Sequence, residues 1–163
     1  MRKPDYGIDA PIMQRNLVIL GLVLGSTYFW WLPPGRYLMW AGVVFLLAAA
    51  WLRFGSRSGK LRLAERLLGA IPWRGDEQVL DVGCGHGLLA VRAAKRLKTG
   101  KSIGVDIWRE FDQAKNRPEN VLDNAKIEGV GRLVEVKDGD ARELPFPDAT
   151  FDVVVSGWAI HNI

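Results

Sequence analysis

VLDVGCGHG, running from Val79 to Gly87, sets three glycines at alternate positions directly after an apolar stretch that carries an aspartate. QVLDV, residues 78–82, predicts a strand, and Leu88 to Leu97 predicts a helix whose Arg92, Lys95 and Arg96 share one face. A glycine-rich turn between the two lets backbone approach a ligand where any Cβ would collide, and turns helix-start N–H groups toward it. The spacing is G-x-G-x-G, at Gly83, Gly85 and Gly87, with leucine at 88, whereas the dinucleotide fingerprint is G-x-G-x-x-G. Asp81 at the loop entrance disfavours a pyrophosphate and suits a ligand that carries an ammonium group.

Downstream, the pattern alternates. SIGVD (102–106) predicts a second strand, Pro118 to Glu128 a helix with Val121, Leu122 and Ala125 inward, and LVEVK (133–137) and FDVVVS (151–156) two more strands. Upstream, Leu61, Ala64, Leu67, Leu68 and Ile71 recur at helical spacing, predicting an amphipathic helix that begins near Ser58. Strands alternating with helices predict an α/β fold with a parallel sheet and right-handed crossovers. Asp106 ends the second strand, where a carboxylate accepts ribose hydroxyls, and Asp140 follows the third, where it can accept an adenine amino group. Either acid alone reads as a solvated loop residue; three acids at the ends of successive strands converge where such sheets bind ligands.

From about Trp73 to Ile163 the chain resembles the Rossmann-like, class I S-adenosylmethionine-dependent methyltransferases of the type 11 group, through VLDVGCGHG, GVDIW, DGDARELPFPDATFDVVVS and SGWAIHNI. The resemblance implies S-adenosyl-L-methionine as cofactor, bound by Asp81, Gly83, Cys84, Gly85, Gly87, Asp106, Ile107, Asp140, Ala141 and Ser156. In that scheme Gly83 and Gly85 lie against the methionine portion with Asp81 near its amino group, Asp106 holds the ribose, Ile107 packs on adenine, and Asp140 with the Ala141 backbone reads it. His161, past the fourth strand, is the one candidate base, and a structural histidine is an equal reading. His86 reads as a solvent-facing loop residue, and Cys84 as a small residue filling space under the loop. No metal site is expected. The family sheet has seven strands in the order 3-2-1-4-5-7-6, and only the first four are found, so the C-terminal half of the catalytic domain is expected to be missing and the fourth strand to stand at an open edge.

The first third of the chain is different. Of the 163 residues, 25% are charged, yet from Leu17 to Leu52 the only formal charge is Arg36. Two apolar runs, Leu17 to Leu32 and Tyr37 to Leu52, flank Pro33-Pro34-Gly35-Arg36; each has 16 residues, about 24 Å of helix. Aromatics crowd both ends (Tyr28, Trp30, Trp31, Tyr37 and Trp40; Trp51 and Phe54), and Gly21 with Gly25 makes a small-xxx-small step facing Gly42. The expectation is a transmembrane helical hairpin over 17–54, after a cytosolic segment 1–16, before a hinge and amphipathic helix over 55–72, and with the half-domain over 73–163. A secretory leader and a buried helical pair are the alternatives.

Net charge is +4, but Arg53, Arg57, Lys60, Arg62 and Arg66 directly follow an apolar run, where basic residues set topology, and no aromatics interleave them for base stacking. The expected partners are therefore a bilayer and a small-molecule or membrane-associated methyl acceptor, not nucleic acid. The expected location is the cytoplasmic membrane, multi-pass, with the catalytic domain cytosolic. The lone Cys84 excludes an internal disulfide. Alternatives of other classes are an accessory cofactor-binding module without turnover and a nicotinamide or flavin oxidoreductase.

Overall fold

The computed structural model describes residues 3–30, 34–109, 116–157 and 159. They form two compact units, one drawn from Ile8–Lys60 and the other from Met1–Gly7, Leu61–Glu110 and Lys115–Ile163.

The first unit is a helical hairpin of α1 (Pro11–Trp30) and α2 (Pro34–Phe54). Pro11 and Pro34 each open their helix, where the missing N–H costs no intrahelical bond. The expected glycine contact forms: a Cβ on Gly42 would stand 2.6 Å from the Gly25 nitrogen and 2.7 Å from the Gly21 carbonyl oxygen. Side chains turned away from this seam are solvent-exposed, Leu22 at 60%, Val44 at 64%, Leu47 at 65% and Trp51 at 75%. Near the base, buried Gln14 donates to the Asp9 carbonyl and to Ser56 Oγ, and Lys60 pairs with Asp9 at 3.2 Å. Gly55–Gly59, expected as a hinge, is instead a π-helical turn followed directly by α3 (Lys60–Gly69). Its glycines face no steric conflict, and Ser56 Oγ accepts from Gln14, so the turn is held as helix.

The second unit is the α/β fold. Its strands are β1 (Gln78–Val82), β2 (Lys101–Asp106), β3 (Val134–Asp138) and β4 (Val153–Val155), with α4 (Leu88–Ala94) and α5 (Pro118–Ile127) as crossovers. All three pairings are parallel, in the order β3-β2-β1-β4, as expected for the first four strands of the resembled family. β1 is buried almost throughout because it is paired on both sides and covered on both faces. One face carries Val79, Leu89, Val91, Val121 and Val134 with Ala64 and Leu68 of α3; the other packs Leu80, Val82 and Val105 under Leu144, Phe146 and Phe151. Two expectations on the helices change: Leu67 is 51% exposed, and Asn124 of α5 is buried beside Val121 and Ala125.

β4 is shorter than its sequence suggests, since 151–152 and 156–157 lie outside the ladder. Among the described residues it pairs only with β1, and Val154 is 61% exposed. The helix expected over Leu88 to Leu97 ends at Ala94, and the basic residues on it and just after it are neutralised within the unit: Arg92 and Arg96 pair with Glu65 at 3.0 and 2.8 Å, and Lys95 with Glu128 at 2.6 Å.

Residues 5–7 belong to the α/β unit, where Tyr6 is 7% exposed within the main core and its hydroxyl donates to Glu128. A lone aromatic between charged and glycine residues carries no periodic signal, so its burial was not legible in sequence.

Candidate functional site

The carboxyl ends of β1, β2 and β3 bring the glycine loop, Asp106 and Asp140 to one edge of the sheet. The loop is shaped by its own hydrogen bonds. The Gly83 and Cys84 N–H groups both donate to the Val105 carbonyl, at 2.8 and 3.1 Å, Gly87 N–H donates to the Cys84 carbonyl at 2.7 Å, and Gly85 N–H donates to Asp106 Oδ2 at 2.8 Å.

Two of the glycines are dictated by the protein itself. Gly83 has φ +69° and its Cβ would meet that of Ala159 at 2.2 Å; Gly87 has φ +78° and its Cβ would meet Val121 Cγ1 at 2.5 Å. Both combine the left-handed region with a contact that forbids a side chain.

Asp81, expected at the loop entrance, is 1% exposed and its Oδ2 accepts the Ala90 N–H at 2.9 Å, tying β1 to the first turn of α4. The helix-start N–H groups are therefore not all aimed at a ligand, as expected from sequence; one is used by Asp81. Burial pushes the Asp81 carboxyl up to about 7, against the Ala90 hydrogen bond and with help from the charge of Asp106. A loop whose amides are engaged internally and whose rear holds a carboxyl is poorly suited to a pyrophosphate, which needs free donors and no added negative charge.

Cys84 is buried, and a Cβ on Gly104 would meet its Sγ at 2.7 Å, so the thiol occupies the space that Gly104 leaves. Burial, then the charges of Asp81 and Asp106, push that thiol up and keep it protonated and inert.

Asp106 is the most heavily used acid: besides Gly85 N–H, its Oδ1 accepts the Trp108 N–H at 2.7 Å and Asn116 Nδ2 at 3.1 Å. Trp108 stands at φ +57° and its Nε1 donates to Asp138 at 2.6 Å, which turns the chain after β2. Ile107 is 46% exposed beside this turn. Asp140 closes a local turn through Arg142, whose backbone and guanidinium both donate to it and hold its carboxyl down to about 2. Ala141 packs against the smaller core cluster, and Ser156 Oγ donates to the Val82 carbonyl at 2.8 Å beside the loop. His161 lies outside the described residues. Among the described residues no group of His, Cys, Asp or Glu side chains is arranged to hold a metal.

His86 is not solvent-facing. It is 7% exposed, with Nδ1 3.1 Å from the Asp5 carbonyl and Nε2 3.2 Å from Asn120 Nδ2. Asn120 can only donate from that nitrogen, so Nε2 accepts and Nδ1 carries the proton toward Asp5. Asn124 completes the arrangement: its Oδ1 accepts Asp5 N–H at 2.9 Å, and its Nδ2 donates to the carbonyls of Asp5 and His86 at 2.8 and 3.0 Å. The N-terminal segment is thereby clamped to the glycine loop. The sequence gives one retrospective signal: an asparagine on the inward face of an otherwise apolar helix stripe demands polar partners. Asn124→Ala is expected to remove three hydrogen bonds to backbone groups, while the Asp5 carbonyl keeps His86 Nδ1–H, and to lower unfolding free energy by about 2–4 kcal/mol. Urea unfolding checks this, and an unchanged midpoint would show the clamp to be redundant.

Residues 80–163 match the model of a family described as methyltransferase domain. The 27-O-demethylrifamycin SV methyltransferase of Amycolatopsis mediterranei (strain S699) is 37% identical over 105 residues, 63% of this chain and 34% of the relative. A demethylmenaquinone methyltransferase of Symbiobacterium thermophilum is 37% identical over 92 residues, 56% of this chain and 34% of the relative. The chain thus spans about a third of the length of these curated relatives. Among solved structures, a SAM-dependent methyltransferase from Aquifex aeolicus superposes with a TM-score of 0.52 over 64% of this chain and 54% of its own, at 24% identity, a likeness of fold.

Proposed function

We infer the function from the family: the chain belongs to the methyltransferases of the methyltransferase-domain family, whose cofactor is S-adenosylmethionine. We propose that the α/β unit binds this cofactor across the carboxyl ends of β1, β2 and β3. The observation that carries the reading is the convergence of the internally bonded glycine loop on Asp106 through Gly85. Asp106 accepts at the ribose, Ile107 offers an exposed apolar surface for adenine, and Asp140 and Ala141 flank it. Gly83, Gly85 and Gly87 bring backbone against the methionine portion, with Cys84 packed beneath and Ser156 holding the loop's rear strand. Asp81 lies behind the loop, where a nearby ammonium group favours its ionised form.

When bound, the cofactor supplies an activated methyl group that passes to an acceptor lone pair as the carbon–sulfur bond breaks, the electron pair going to sulfur. The protein's part is to orient the donor and exclude water, so a base is needed only for an acceptor that must lose a proton. His161 is our candidate for that base.

We further propose that the helical hairpin lies in a membrane with both ends cytosolic, placing the α/β unit beside the bilayer and favouring a lipid-like or quinone-like acceptor. The supports are the exposed apolar faces of α1 and α2, the basic residues at their outer ends and, among the described residues, one helix, Tyr37–Gly69, that is long and apolar enough to cross a membrane. Cysteine labelling in intact cells tests the topology, since native Cys84 is buried. Gly35→Cys should react with an impermeant maleimide from outside and Arg57→Cys only after permeabilisation; outside labelling at Arg57→Cys would invert the arrangement.

Transfer of radiolabelled methyl groups to membrane extracts tests the activity. Label recovered in an extractable small molecule supports the transferase. A chain that binds cofactor but labels nothing supports the second reading, a cofactor-binding module.

A further inference from the structure

Asn116 is 6% exposed and sits just before α5, with its Nδ2 donating to Asp106 Oδ1. The orientation of its amide is set by that contact, because the flipped form would put two acceptors against each other. Its Oδ1 is then a buried acceptor with no hydrogen-bond partner. Such atoms are rare in folded proteins, and one beside a ligand-binding acid points to a donor that arrives with the ligand.

The lone pairs of Asp106 sharpen this. Its carboxylate has about four acceptor sites, and three are taken by the N–H groups of Gly85, Trp108 and Asn116. About one is left, whereas the vicinal diol of a ribose brings two O–H donors. The unpaired Oδ1 of Asn116 is one amide's breadth from the carboxylate and supplies the missing acceptor.

We propose that Asn116 is a second ribose-positioning residue: its Oδ1 accepts one hydroxyl of the bound nucleoside while Asp106 accepts the other, and its Nδ2 keeps Asp106 aligned in both free and bound states. The proposal rests on the cofactor reading given above and extends it to a residue outside the glycine loop and the three acids. It also explains why an asparagine is held buried at this position, where a hydrophobic residue would satisfy packing alone.

The test is a cycle between protein and ligand by calorimetry on the full chain, using S-adenosylhomocysteine and its 2′-deoxy and 3′-deoxy analogues. Asn116→Ala is expected to weaken S-adenosylhomocysteine about tenfold. Against the analogue that lacks the hydroxyl Asn116 accepts, the same substitution should cost less than about twofold, while against the other analogue the tenfold loss should persist. Equal losses with all three ligands would mark Asn116 as structural and overturn the proposal, as would no loss with any. Thermal unfolding of the variant establishes that it is folded, and Asn116→Ser, which keeps an oxygen acceptor on a shorter arm, should recover part of the affinity if the role is acceptance. A wild-type chain that fails to bind S-adenosylhomocysteine would overturn the cofactor reading itself, and this proposal with it.

Discussion

Asp106→Ala is expected to raise the dissociation constant for S-adenosylhomocysteine roughly 10- to 150-fold, about 1.5–3 kcal/mol. The loss has two sources. The charge-assisted acceptor for the ribose disappears, and the Gly85 and Trp108 N–H groups and Asn116 Nδ2 lose the carboxylate that fixes them. Asp106→Asn keeps one acceptor oxygen and should fall between wild type and alanine. Calorimetry on folded variants decides the matter, and wild-type affinity in Asp106→Ala would remove Asp106 from the site.

The second large effect is on stability and follows from Asp81. Burial raises its carboxyl from an ordinary 3.8 to about 7 in the folded chain. Between about pH 4 and pH 7 the folded state therefore holds a proton that the unfolded state has released. Stability contributed by this group is fully present below about pH 4, falls as pH rises through that window, and levels off above it. Three units at about 1.36 kcal/mol each make the total on the order of 4 kcal/mol. Asp81→Asn, whose Oδ1 can still accept the Ala90 N–H, should flatten the dependence and be more stable than wild type at pH 8. Glu65 and Glu128 are held below their ordinary values by Arg96 and Lys95 and act in the opposite sense, losing stability only as pH falls below about 4.5. The two windows are thus separable by urea midpoints at pH 3, 5 and 8. A wild-type midpoint unchanged between pH 5 and 8 would show that Asp81 is not buried as described. If Asp81 also serves the cofactor's ammonium group, the same substitution should weaken cofactor binding while it stabilises the free protein.

What could be read from sequence divides along physical lines. The parallel α/β alternation and the convergence of Asp106 with the glycine loop were legible from period and spacing, whereas the strand order came from the resemblance to the methyltransferase sheet. The Gly21, Gly25 and Gly42 contact was legible from composition: two small residues one helical turn apart, with a third on the next apolar run, suit a close helix pair. His86 and Tyr6 were not. Their burial depends on a partner more than 80 residues away in one case and on Glu128 in the other, and no local pattern encodes such pairings. Asn116 was hidden differently, since its meaning lies in a single unpaired atom that only coordinates reveal. The π-turn at Gly55–Gly59 shows the limit of composition: glycine and serine permit a hinge without requiring one.

The central claim is that the α/β unit is built for the nucleoside and amino-acid ends of S-adenosylmethionine and not for a dinucleotide pyrophosphate. Titration of the full chain with S-adenosylhomocysteine and, separately, with NADH tests it most directly. Saturable binding of S-adenosylhomocysteine, weakened by Asp106→Ala, with no heat from NADH is the predicted result; binding of NADH in place of S-adenosylhomocysteine would contradict it.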